Sequence, residues 1–281
     1  KKYKNLILIE HENNKGLGAS RNTGLNAARG EYVWFVDSDD FVSINAVSKL
    51  ISYAETYSPD VILFNYQRVS EIGKVIDKGL VFENSELLSG KEFVNTFFGE
   101  SFIYHLGYVW RCVYSTRYLK QNNLLFPEKV FWEDTVFFPK TILYADKVIS
   151  IEDIFYNYRV NDESISGSKN SQKANRYFQF SFVAGLDLFE FAKNYMEVDQ
   201  GLGSVFRKKA EWYFNSFTKP FVNSSFREKL NFYRYIKESK KQINEISDSI
   251  LWFNKILMIP AIGLTSSFVF KFAYRIKKIK K

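Results

Sequence analysis

The sequence predicts an α/β domain followed by a mostly helical C-terminal region, and three observations carry that prediction. Glu31-Tyr32-Val33-Trp34-Phe35-Val36 is a largely apolar, β-branched and aromatic run that reads as a buried strand and stops abruptly at Asp37-Ser38-Asp39-Asp40. Ahead of it stand the apolar run Leu6–Ile9, the glycine-bearing loop His11–Gly18 and a short helix over Ala19–Ala28 with Gly30 as its stop, giving the order strand, loop, helix, strand. Further on, Lys169–Tyr195, Leu202–Phe217 and Phe226–Ser247 alternate aromatic and charged residues at helical spacing.

The carboxylates at the end of the strand are the first functional signal. In an open α/β sheet, ligands bind outside the carboxyl ends of the strands. Carboxylates placed there are costly unless a cation or hydrogen-bond donors compensate them. Hard oxygen ligands around a Mg²⁺- or Mn²⁺-sized ion, with substrate phosphates completing the shell, account for them economically. The competing reading is a solvated strand-to-helix turn in which Ser38 or Asp40 caps a helix over Phe41–Tyr57.

Asn14-Lys15-Gly16 through Ala19-Ser20-Arg21-Asn22-Thr23-Gly24, then Ala28-Arg29-Gly30-Glu31-Tyr32 through Asp37–Asp40, resemble the family 2 glycosyltransferases of the GT-A fold. Phe126-Pro127-Glu128, Glu133-Asp134, Tyr156-Asn157-Tyr158-Arg159 and Ser164-Ile165-Ser166 resemble its capsule, exopolysaccharide and lipopolysaccharide branch. The resemblance covers about residues 5–166. Members begin with a hydrophobic strand, a helix and a second strand that find no counterpart here, so it implies a domain lacking its first strands and much of the base pocket. The organisation expected is a GT-A domain over 1–166, a helical region over 167–248 and a membrane-associating segment over 249–281.

The resemblance implies an inverting, metal-dependent transfer of a sugar from a UDP- or GDP-type donor to a hydroxyl of a polysaccharide or glycolipid precursor. Asp39 is the expected direct ligand of Mn²⁺ or Mg²⁺, with Asp37 on the metal shell or the ribose and Asp40 supporting the loop. Arg21 resembles the arginine that contacts the nucleotide, the alternative being an ion pair with Asp37 or Asp40. Asn14, Lys15 and Gly16 line the same edge, and Arg159, with Ser164 or Ser166, is placed to reach the diphosphate. Asp134 is the candidate general base, beside Glu133; its apolar neighbours Trp132 and Val136-Phe137-Phe138 would raise its pKa. Helix N-capping is the alternative for that pair. Trp110 and Trp132 are candidates for an apolar platform under an acceptor sugar. Two rival classes are a phosphohydrolase with an Asp-x-Asp motif and a non-enzymatic, membrane-peripheral assembly partner.

Composition narrows the setting. Aromatic residues make up 18% of the chain, more than core packing usually demands. A single cysteine, Cys112, excludes a disulfide framework, favours a reducing cytoplasm and reads as a buried inert thiol. His11 and His105 lack metal-ligand spacing. Residues 1–160 hold 18 Lys+Arg against 20 Asp+Glu, whereas residues 161–281 hold 21 against 11, so the basic charge is confined to the second part. No recognition motif points that surface at nucleic acid. The 15 uncharged residues between Lys255 and Lys271 fall short of the ~20 that span a bilayer. With Trp252 and Phe253 before them and the basic close Arg275–Lys281 after, they fit peripheral contact with an anionic membrane at the inner face of a bacterial plasma membrane; a core helix pair broken at Pro260 is the alternative.

The intervening elements are coarse. Asp60–Tyr66 is predicted as a strand, residues 67–90 as a polar hairpin or excursion, and Lys91–Phe98 and Val109–Asn122 as helices.

Overall fold

The computed structural model describes residues 5–79, 82–97, 107–128, 133–160, 184–185 and 187–223. Two compact units make up the chain, Lys1–Ser168 with Tyr195–Val205, and Lys169–Asn194 with Phe206–Lys281.

The first unit is built on a six-stranded mixed sheet in the order β1-β5-β3-β6-β2, with β4 paired to β3 outside that path. Its strands are β1 (Tyr32–Trp34), β2 (Phe41–Val42), β3 (Val61–Val69), β4 (Val75–Lys78), β5 (Cys112–Ser115) and β6 (Val148–Arg159). Among the described strands, β3 and β6 run parallel and the other pairs are antiparallel. Helices α1 (Leu17–Ala27), α2 (Ala46–Tyr57), α3 (Gly90–Phe97), α4 (Thr116–Gln121) and α5 (Asp134–Leu143) accompany it. The sheet is buried on both faces at the start of β3, which is why that strand opens with an unbroken run of buried residues, Val61 to Asn65, and not with an alternating one. Ile62, Phe64, Val113, Ile149 and Phe155 face a core that also takes in Ala46 and Leu50 of α2. Tyr114, from the opposite pleat of β5, meets Phe137 of α5 edge-on with ring centroids 5.8 Å apart.

A buried asparagine shapes the strand that matters most for the site. The pairing of β3 with β6 shifts register on both sides of Asn65, where Leu63 faces Ser150 but Asn65 faces Ile154. Asn65 is fully buried, so its amide must be satisfied. It donates to the carbonyls of Phe82 (2.7 Å) and Glu152 (3.0 Å) and accepts the Phe82 N–H at 2.6 Å. A bulge of this kind re-aims the residues beyond it. Here those residues are Tyr156 to Arg159, which close against the Asp37–Asp40 loop.

The structure corrects four expected elements. Leu6–Ile9 is not a strand, and these four residues are 46–73% exposed; a strand exists through its ladder, and no described strand pairs with it. Phe41–Val42 pairs with β6 before α2 begins, so the helix starts at Ala46 behind Asn45, and neither Ser38 nor Asp40 caps it. Residues 109–122 are a short 3₁₀ turn, Val109–Arg111, then β5 and α4. Cys112-Val113-Tyr114 is strand because β1 and β3 pair with it from both sides, a tertiary effect that overrides helical spacing. Helix α1 stops at Ala28 in an extended conformation, two residues ahead of the predicted glycine stop.

In the second unit, the described residues are helical, as expected for the C-terminal region. Leu188 and Ala192, then Phe206, Ala210 and Tyr213, are buried at intervals of three and four residues, and Phe191 meets Phe206 edge-on at 5.1 Å. Among the described residues, no helix is long and apolar enough to cross a membrane. Segment 249–281, His105, Ser164 and Ser166 lie outside them.

Candidate active site

Aromatic packing decides where the charged residues stand. Phe35, the last buried residue before the carboxylate loop, packs edge-on against Phe126 (5.0 Å) and Phe137 (6.3 Å), and Phe126 stacks on Phe137 at 3.8 Å. Phe137 lies one helical turn beyond Glu133, so this cluster seats the first turn of α5 beside the end of β1. From α1, Asn22 accepts the Phe126 N–H (2.8 Å) and donates to the Phe126 carbonyl (2.9 Å), pairing with that backbone as a strand would. Gly18 permits the close approach, since a Cβ there would sit 2.4 Å from the Pro127 carbonyl oxygen. Phe-Pro and Arg-Asn, 104 residues apart, are thus two halves of one joint.

That joint delivers Arg21 into a set of carboxylates. Its guanidinium donates to Asp37 Oδ1 at 2.7 Å and to Glu133 Oε1, and it lies 5.4 Å over the Phe126 ring. Arg21 is 8% exposed and Glu133 2%. Burial opposes the charge on Arg21, but Glu133 and Asp37 outweigh it and hold the guanidinium above its usual pKa. Burial raises the Glu133 carboxyl, Arg21 acts against that, and the neighbouring charge of Asp37 adds to it. Arg21 therefore bridges two carboxylates: of the ion pairs expected as the alternative to a nucleotide contact, the one with Asp37 is formed, and the second partner is Glu133, not Asp40.

The carboxylates of the loop fall into three different situations. Asp37 is paired with Arg21. Asp40 accepts the Arg159 N–H at Oδ1 (2.8 Å) and the Tyr156 hydroxyl at Oδ2 (2.7 Å), so both oxygens are occupied; burial pushes its carboxyl up, and the two donors act against that. Asp39 is exposed and makes no hydrogen bond or ion pair to the described residues. Of the three, Asp39 has its whole carboxylate available.

Asp134 opens α5, where the helix dipole favours an anion. Its Oδ1 accepts the Thr135 N–H at 2.9 Å. Burial and then Glu133 push its carboxyl up to about 7, with Arg21 acting in the opposite sense. Glu133 occupies the N-cap position without capping, because its side chain is spent on Arg21.

Around this centre, Asn14 accepts the Gly16 N–H at 2.9 Å and shapes the exposed loop that carries Lys15. Gly16 enters α1 at φ +87°, a conformation that favours glycine. The Arg159 guanidinium lies 5.6 Å over Phe41, with its Nε unpartnered among the described residues. Trp110 is corrected from sugar platform to core: it is 4% exposed, with Tyr108 and Tyr156 stacked on it at 4.8 and 4.4 Å, and its carbonyl accepts the Trp34 indole N–H. Trp132 lies outside the described residues. Burial pushes the Cys112 thiol up to about 12, and His11 bonds Thr23 at 2.9 Å. Asn22, Gly18 and Tyr156 were present in the quoted motifs, but no spacing rule exposes their roles.

A mixed sheet with helices on both faces and a carboxylate loop beside a helix-terminal carboxylate defines an α/β protein of the GT-A class. The solved structure of S. aureus TarS 1–349 in complex with UDP-GlcNAc shares this fold, with a TM-score of 0.61 at 20% identity over 92% of this chain and 74% of that one. Residues 1–114, which carry Arg21 and the Asp37–Asp40 loop, match the family model of glycosyl transferase family 2. The uncharacterized glycosyltransferase EpsJ of Bacillus subtilis is 29% identical over 65% of this chain and 53% of its own length. The putative glycosyltransferase EpsH of the same organism is 26% identical over 75% of this chain and 58% of its own length. The chain thus spans about half the length of these relatives.

Proposed function

We propose that this chain transfers a sugar from a nucleoside diphosphate to a hydroxyl of a glycan or glycolipid precursor, with inversion and with a divalent cation. The observation that carries the reading is the division of labour among the carboxylates: Asp39 is left bare on the loop, while Asp134 is held on α5 with a pKa near neutrality. The residues fit a Mg²⁺- or Mn²⁺-sized ion. Among the described residues no three His, Cys, Asp or Glu side chains converge as a cage, and such an ion commonly takes one or two carboxylates and completes its shell with phosphates. Asp39 would hold it, with Asp37 beside it, and when bound it would neutralise the departing diphosphate. Asn14, Lys15, Gly16 and Arg159 would face the nucleotide and its phosphates. Asp134 takes the proton of the acceptor hydroxyl as its oxygen forms a bond to the anomeric carbon and the bond to the diphosphate oxygen breaks; one such displacement inverts the centre.

Because TarS has been solved in complex with UDP-GlcNAc, UDP is the first nucleotide to test, and GDP the second. Calorimetric titration with each, with and without Mn²⁺, tests the proposal. Binding that requires Mn²⁺ and is lost in Asp39→Ala is expected; equal binding in wild type and variant refutes the assignment of Asp39.

A further inference from the structure

Asp37, Ser38, Asp39 and Asp40 place three negative charges in four residues, and like charges so close push a short loop open. Arg21 restrains Asp37 alone. The turn itself contributes a single long bond, from the Asp40 N–H to the Asp37 carbonyl at 3.2 Å. The group that reaches both ends of the turn comes from 119 residues away. The Tyr156 hydroxyl accepts the Asp37 backbone N–H at 3.1 Å and donates to Asp40 Oδ2 at 2.7 Å. Its ring is fully buried and stacked on Trp110 at 4.4 Å with a tilt of 16°, so the hydroxyl has a rigid base. Neighbouring bonds from β6 complete the attachment: Arg159 N–H to Asp40 Oδ1 at 2.8 Å, and Asn157 Nδ2 to the Phe41 carbonyl at 3.3 Å.

We propose that Tyr156 is a positioning residue for the carboxylate loop: its hydroxyl ties Asp37 to Asp40 and so fixes where Asp37 and Asp39 present their carboxylates to a cation–diphosphate ligand. The ligand part rests on the function proposed above; the clamp itself does not. Asp39, two residues beyond the clamped amide, makes no hydrogen bond or ion pair to the described residues, so its place is set by the ends of the turn. Preorganising a ligand through the groups that hold it is what makes a site tight, and loosening them is felt as lost affinity.

The test is Tyr156→Phe in the full chain, which keeps the ring and removes the hydroxyl. Hydrogen exchange followed on a peptide spanning residues 34–42 is expected to speed up about tenfold, while a peptide from the middle of β3 is unchanged. Unchanged exchange in the loop overturns the clamp, and exchange that rises throughout the sheet shows general packing and overturns it equally. Affinity for Mn²⁺–UDP is expected to fall about tenfold, the scale of losing a hydrogen bond to a charged group. Asp40→Ala is expected to cost less in the Tyr156→Phe background than in wild type, because the tie to Tyr156 is already broken there and only the bond to the Arg159 N–H remains to be lost. Fully additive losses overturn the proposal. If wild type binds neither Mn²⁺–UDP nor Mn²⁺–GDP, the proposed function has failed and the exchange measurement alone decides the role of Tyr156.

Discussion

Replacing Arg21 by methionine removes the cation that faces three carboxylates, Asp37, Glu133 and Asp134, while keeping a side chain of similar length. Asp37 has a side chain 28% exposed and can turn to water; Glu133, at 3%, cannot. Removing one partner of a buried pair costs about 3–5 kcal/mol, because the other charge is left buried and uncompensated. Each kcal/mol moves the midpoint of a large domain by roughly 2–4 °C, which puts the expected fall near 10 °C, give or take about twofold. The loss must also depend on pH. Burial already raises the Glu133 carboxyl in the folded state, and removing Arg21 raises it further. A carboxylate whose folded pKa exceeds its unfolded value near ~4.3 destabilises the fold above that value, and the penalty fades as pH falls and both states become protonated. Thermal melts of wild type and Arg21→Met between pH 5 and 8 read this directly. The gap should be widest at pH 8 and shrink towards pH 5, and Arg21→Met with Glu133→Gln should regain most of the loss. A loss below about 1 kcal/mol, a gap independent of pH, or no recovery in the double variant would refute the reasoning.

The Asp134 carboxyl, pushed up to about 7, must be ionised to take a proton, so turnover in wild type is expected to fall as pH drops through that region. A pH–rate profile flat from 5.5 to 8.5 excludes Asp134 as the base, and so does wild-type turnover in Asp134→Asn. The same raised pKa means that ionised Asp134 destabilises the fold, so Asp134→Asn is expected to melt higher than wild type at pH 8 while it loses turnover. Removing residues 249–281, which contain the basic close Arg275–Lys281, is expected to release the chain from anionic vesicles in co-sedimentation; unchanged pelleting sinks the membrane contact expected from the sequence.

The fold and the site are coupled through aromatic residues. The cluster of Phe35, Phe126 and Phe137 sets α5 against the strand end, and Trp110 with Tyr156 sets β6 against the loop. Part of the high aromatic content that composition alone left without a purpose is spent on that positioning. A Phe35 or Phe137 truncation is therefore felt at Asp37 and Glu133 as well as in the core.

Local chemistry made part of this legible from the chain alone. A β-branched, aromatic run ending in Asp37–Asp40 announces a strand with a carboxylate loop at its end, because strand propensity and the cost of clustered carboxylates are properties of neighbouring residues. The helices described in the second part and the strand expected over Asp60–Tyr66, observed as Val61–Val69, follow from the same local rules. What only the tertiary structure decided is the partner of each charge and ring. Arg21 found Glu133 across 112 residues, Tyr156 found Asp37 and Asp40 across more than 100, and Trp110 was taken into the core in place of a sugar-binding face. Cys112–Ser115 became strand because two neighbours offered it ladders. These outcomes depend on which distant groups fill a given volume and satisfy a given donor, and that choice is made when the chain packs, not by the spacing of residues along it.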